Sequence, residues 1–165
     1  MLYENERGKA LARFCVDHGG MIADEWYLQE IPTLQGAWDE INKRFAPKMR
    51  KWEASMPGVT PHIVAALANE TAYPENSDRY PHVDFKVFMD MQMHTLATQG
   101  EFFALGGIQW YKSGYADEEV LRFGGRLFRH YCIEGNTEPI SNDPYELNHI
   151  ANPDFEAGTE GWQIQ

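Results

Sequence analysis

The stretch His62-Ile63-Val64-Ala65-Ala66-Leu67-Ala68 constrains the fold more than any other. After the histidine it is apolar without a break, so it lacks the alternation of a strand with one wet face. An unbroken apolar strand is expected in a parallel sheet covered on both faces. Parallel neighbours need long crossover connections, usually helices. The flanking sequence supplies candidates on both sides.

Residues 4–18 carry a helical apolar pattern at Ala10, Leu11, Phe14 and Cys15, stopped by Gly19-Gly20. Residues 21–28 predict a strand. Pro32 and Gly36 mark a loop, and a helix is expected from Ala37 to Ala54, kinked or broken at Pro47. Beyond the strand at 62–68 lies a long polar loop, Thr71 to His82, of the length that is usually functional or mobile. Val83 to Gln99 predicts a helix with Phe85, Phe88, Met89, Met93 and Leu96 as plain core packing. Phe102 to Tyr111 predicts a third strand, with a bulge or close backbone packing at Gly106-Gly107. Asp117 is placed to cap a helix running to about Ile133, with Glu118 and Glu119 in its favourable first turn.

This order predicts an α/β fold of three βα units with parallel strands. Closing a (β/α) barrel takes eight such units. Residues 1–135 are therefore expected to form part of a barrel, with a small three-stranded α/β layer as the alternative. Residues 136–151 are expected as a polar linker. An unpaired edge of the first strand predicts self-association.

The 25 acidic residues outnumber the 14 basic ones, giving a net charge of −11. That balance disfavours phosphate backbones and anionic membranes as partners, and leaves neutral sugars compatible. No apolar stretch of about 18 residues exists to span a bilayer. Cys15 and Cys132 are expected as buried thiols. Gly106-Gly107 is too short for a phosphate loop, and no G-x-S-x-G elbow occurs. His82, Asp84 and His94 are spread over about 15 Å of helix, too far to hold one ion. No metal or other cofactor is expected.

In a barrel, chemistry sits at the C-terminal ends of the strands. That rule selects Asn69 and Glu70 after the second strand, Glu25 and Glu30 at the first, and Gln109, Trp110 and Tyr111 at the third. Tyr73, with Thr71 and the rest of the 71–82 loop, would line the cleft. Of Asp24 and Glu25, one could instead face a helix and pair with Lys or Arg, since a lone charge in such a strand is costly. Trp110, Tyr111 and Trp26 could stack on a sugar ring or pack in the core. His62 lies at the opposite strand end and is expected to be structural.

Three segments carry a resemblance. They are Gly107-Ile108-Gln109-Trp110-Tyr111, the helix end Leu127-Phe128-Arg129-His130-Tyr131-Cys132-Ile133-Glu134-Gly135, and Asn152-Pro153-Asp154-Phe155-Glu156 with Gly158, Gly161 and Trp162. Together they resemble the C-terminal part of a glycoside-hydrolase-like TIM barrel followed by a carbohydrate-binding-type β-sandwich, with residues 152–165 as the start of that sandwich. The resemblance implies a piece of a longer bacterial enzyme acting on a polysaccharide or oligosaccharide. It also implies that the strands are the sixth to eighth, with Glu70 at the nucleophile position and the acid/base elsewhere in the parent. Glycoside hydrolysis needs two carboxyl groups, so this chain alone would be inactive. The alternative is a non-catalytic sugar-binding or scaffold domain using aromatic stacking.

Overall fold

The computed structural model describes residues 5–26, 28, 31, 33–69, 83–111 and 116–141. In chain order these form α1 (Glu6–Asp17), β1 (Ile22–Glu25), α2 (Leu34–Glu40), α3 (Ala46–Ser55), β2 (Ile63–Leu67), α4 (Phe85–Thr98), β3 (Gly107–Trp110) and α5 (Glu118–Leu127). The three strands make one parallel sheet in the order β1-β2-β3. The expected α/β class and parallel strands are therefore present.

Caps set several of the helix starts. Asn5 accepts from the Gly8 amide, Thr33 from Gly36, Asp84 from Lys86 and Val87, and Asp117 from Val120. Each satisfies amide groups that have no partner within their own helix. The break expected at Pro47 lies one turn earlier. Residues Ile41–Phe45 form a wide π-helical turn, and α3 resumes through Pro47 without a stop. Proline has no N–H to donate and crowds the carbonyl four residues back, here Lys43. The wide turn takes up that misfit. A second π-helical stretch, Phe128–Ile133, extends α5 to the expected end.

The third strand is shorter than expected. Gly100–Phe102 is a 3-10 turn, and pairing begins only at Gly107. Gly106 explains the start. A β-carbon there would lie 2.0 Å from the Pro61 carbonyl oxygen and 2.5 Å from the Met21 side chain. The close backbone packing expected of this glycine is thus its role, at the start of β3.

Register divides the sheet into two unlike faces. Ile22, Ile63, Ala65 and Leu67 join one core cluster with Ala12 of α1, Ala37 of α2, Met49 and Trp52 of α3, Phe88, Met89 and Met93 of α4, and Phe123 and Leu127 of α5. Helix α2 packs on α4, and α4 on α5. The alternate residues Ala23, Glu25, Val64, Ala66, Gly107 and Gln109 point away from this layer and lie outside its core. Both faces were expected to be covered. Among the described residues the helices cover one face.

The segment expected to begin a linker is docked instead. Residues 136–141 are tied to α4 by hydrogen bonds from Ile140 and Ser141 to Asp90 and from His94 to the Thr137 carbonyl, and to the α5 extension by a bond from His130 to the Glu138 carbonyl. Cys15 is half-buried, and Cys132 is exposed rather than buried.

Gly106→Ala should lower stability by about 3 kcal/mol, because the clash is with backbone that cannot step aside. The check is a urea titration showing a lower midpoint at unchanged slope. An unchanged midpoint would refute the close-contact account.

Candidate functional site

The C-terminal end of β2 is gripped from several directions. Gln92, fully buried on α4, accepts from the Ala68 amide at 2.9 Å and donates to the Ala68 carbonyl at 2.8 Å. Its amide thus stands in for a neighbouring strand. The Tyr111 amide donates to the Leu67 carbonyl at 2.7 Å. Asn69 donates through Nδ2 to the Tyr111 carbonyl at 3.1 Å, closing β2 onto β3. That bond orients the carboxamide and leaves Asn69 Oδ1 buried without a hydrogen-bond partner among the described residues. A buried acceptor in that state favours any ligand hydroxyl or amine that can reach it.

On the face turned away from the helices, Glu25, Ala66 and Gln109 form one row across the three strands, and Ala66 at its centre is only 1% exposed. Strand spacing puts Glu25 and Gln109 about 10 Å apart, with the small Ala66 between them. Both polar side chains are exposed. The row below it, Ala23, Val64 and Gly107, is small and apolar. Polar groups therefore gather at the strand ends where a barrel carries its chemistry.

Of the residues singled out from sequence, Glu25, Gln109, Asn69 and Tyr111 meet at this end of the sheet. Trp110 does not share their face. It is half-buried on the helix side, with its ring 5.7 Å from that of Phe128. A β-carbon on Gly124 would lie 2.8 Å from its Nε1, so α5 passes directly against the indole. Trp26 is 1% exposed and stacks on Phe45 at 5.0 Å. Alternation along the strands turns both rings into the core, away from the row of Glu25 and Gln109. Glu70, Glu30 and Tyr73, with the rest of the 71–82 loop, lie outside the described residues, as do residues 142–165.

Asp24 takes the helix-facing alternative. Its carboxylate pairs with Lys48 of α3, whose ammonium also lies 5.0 Å from the Phe45 ring centre. Burial pushes the Asp24 carboxyl up, and the Lys48 charge and hydrogen bond only partly oppose this, with a smaller pull from Arg44. Asp24 Oδ2 has no hydrogen-bond partner. His62 is structural, its Nδ1 bonded to the Gly20 carbonyl at 3.0 Å.

Sequence reasoning did not single out Gln92, Lys48 or Asp90. The first and last were visible as polar residues set in the apolar run of α4. Lys48 carried no such signal.

A separate cavity of about 540 Å3 opens in the outer layer, lined by Met93, Leu96, Phe102, Ile108, Phe128 and Cys132 among others. Cys132 is exposed at the rim of this cavity, and partial desolvation there raises its thiol above the ordinary value. No group of three or more metal-binding side chains occurs among the described residues. No helix among them is long and apolar enough to cross a membrane.

No protein-family model, curated protein or solved structure matches this chain.

Lys48→Met should cost about 3 kcal/mol near neutral pH, because it strands a buried carboxylate. A raised carboxyl binds its proton more tightly in the folded state, so the penalty grows as pH rises above the ordinary carboxylate range and shrinks below about pH 4. Urea titrations of both proteins at the two pH values test this. Equal penalties at both would show that charge is not the cause.

Proposed function

We propose that this chain supplies three consecutive βα units of a (β/α)8 barrel in a carbohydrate-active hydrolase, with Glu70 as the candidate catalytic carboxylate. One observation carries the reading. The all-parallel sheet runs in sequential order, with the described helices on one face and the polar row of Glu25 and Gln109 on the other. Parallel sheets are otherwise covered on both sides, and barrel closure is one way to cover the second. The placement of Asn69 supports the reading, because its carboxamide is fixed at the C-terminal end of β2, one position before Glu70 in the sequence. The second carboxyl that glycoside hydrolysis requires would come from another unit of the barrel. Glu30 and Tyr73 are assigned to the surrounding cleft.

A sugar-binding platform built on aromatic stacking is the weaker reading, since Trp26 and Trp110 pack against the helical layer. Among the described residues no strand pairs with the outer edge of β1 or of β3, which supports self-association when the neighbouring units are missing.

The test is reducing-sugar release from a panel of neutral polysaccharides by the protein that carries these units. Glu70→Gln should lower kcat by about a thousandfold, as expected for a carboxylate in proton transfer or attack, with an unchanged unfolding midpoint. Full activity in that variant would remove Glu70 from the chemistry.

A further inference from the structure

We propose that the apolar cavity between α4, the α5 extension and the start of β3 is a binding site for a small uncharged aromatic molecule. This site is separate from the sugar chemistry assigned to the strand ends and does not depend on it. The cavity measures about 540 Å3. An apolar cavity of about 150 Å3 is already enough for benzene, and small-molecule sites generally run from about 300 to 1,000 Å3. Among the described residues no Lys, Arg, His, Asp or Glu lines it. Its deep walls, Met93, Leu96, Phe102 and Tyr131, are each at most 7% exposed, while Phe103 and Cys132 stand exposed at the rim.

Contacts made outside the cavity hold its walls apart. Phe102 packs on Trp26 with ring centres 5.3 Å apart, and Phe128 on Trp110 at 5.7 Å. The Tyr131 hydroxyl donates to the buried Asp90 carboxylate at 2.5 Å. Each wall is therefore fixed whether or not the cavity is filled. A ligand that enters has few side chains to order, which removes one of the main costs of binding.

The lining also selects the chemistry of the occupant. Its described side chains offer only the weak Cys132 thiol and a Tyr131 hydroxyl whose proton is committed to Asp90. An ordered water needs two to four polar partners, so water is poorly held in such a site and its displacement by an apolar group is favourable. A charged ligand would lose its hydration without a counter-charge, and a sugar would strand its hydroxyls. The rings of Phe102, Phe103 and Phe128 suit an aromatic guest, and the sulfur atoms of Met93 and Cys132 add favourable contacts to a ring. A flat protein surface would reach the rim and not the buried walls. The site is also remote from the strand ends: Gly107 opens β3, and Tyr111 lies four residues on, about 13 Å at the rise of a strand.

The experiment is methyl NMR on the full chain, 13C-labelled at methionine and titrated with toluene. Met93 lines this cavity, and Met49 lines a second one of about 430 Å3 whose wall includes Arg50, Glu53 and Glu101. One sample thus reports on an apolar and a charged cavity together. Toluene should shift the Met93 methyl saturably and leave Met49 in place. Benzoate, the same ring with a charge, should bind at least about tenfold more weakly. Ala97→Phe, which sets a ring inside the cavity, should abolish the Met93 response. Cys132→Trp plugs the mouth from an exposed position, keeps the unfolding midpoint, and should do the same. The proposal fails if Met93 does not saturate, if Met49 moves in step with it, if benzoate matches toluene, or if Cys132→Trp binds toluene as the unaltered chain does. A Met93 resonance that moves on dilution of the protein alone would assign the cavity to a second copy and overturn the proposal as well. None of these readouts involves Glu70, so failure here is distinct from failure of the hydrolase reading.

Discussion

Everything in this molecule follows from the pairing of β2 on both of its edges. Ile63–Leu67 is a central strand, so its backbone groups are directed to β1 on one side and β3 on the other. Parallel pairing forces the chain to travel back outside the sheet between strands. The returning segments are helices because their apolar residues repeat at helical spacing. Those helices then bury Ile63, Ala65 and Leu67, and the alternation of the strand leaves Val64 and Ala66 for the other face. The two faces of the sheet thus differ because a single apolar strand has two sides and the helical layer buries one of them in its core.

The helical layer is also where this protein places its costly polar groups. Gln92, Asp90 and the Asp24–Lys48 pair all sit within or beneath it. Each has a different solution to burial. Gln92 matches a donor and an acceptor of one backbone residue and leaves little unsatisfied. Asp90 gathers four donors without any cation. Asp24 pairs with Lys48 and feels a smaller pull from Arg44, but burial outweighs both, so its carboxyl rises despite the ion pair.

Much of the architecture was readable beforehand. Strand–helix alternation, the Asp117 cap and the close packing at Gly106 depend on local pattern, and local pattern is what periodicity and residue type report. The errors share one cause. Phe102 to Leu105 has the composition of a strand but belongs to a turn, because strand pairing starts only where Gly106 can pass the Pro61 carbonyl. For Trp110 both sugar stacking and core packing were open, and the pleat turns it toward Phe128 and Gly124. Residues 136–141 looked like a linker because they are polar. Their backbone is docked by side chains some fifty positions earlier in the chain, such as Asp90.

The sequence by itself determined the class of fold, since an apolar strand between helical patterns has few alternatives to a parallel α/β layer. It also pointed to the C-terminal strand ends as where a barrel would carry its chemistry, because topology sets that rule for barrels. Only the tertiary structure decided which acidic residue of β1 faces the helices, and it assigned Asp24 to Lys48 and left Glu25 in a row with Gln109. Only it revealed the grip of Gln92 on Ala68 and the convergence of Ile140 and Ser141 on Asp90. The physical reason is range. Period and composition describe neighbours along the chain, whereas the partner of a buried charge or amide is chosen by which surfaces meet when the helices close over the sheet.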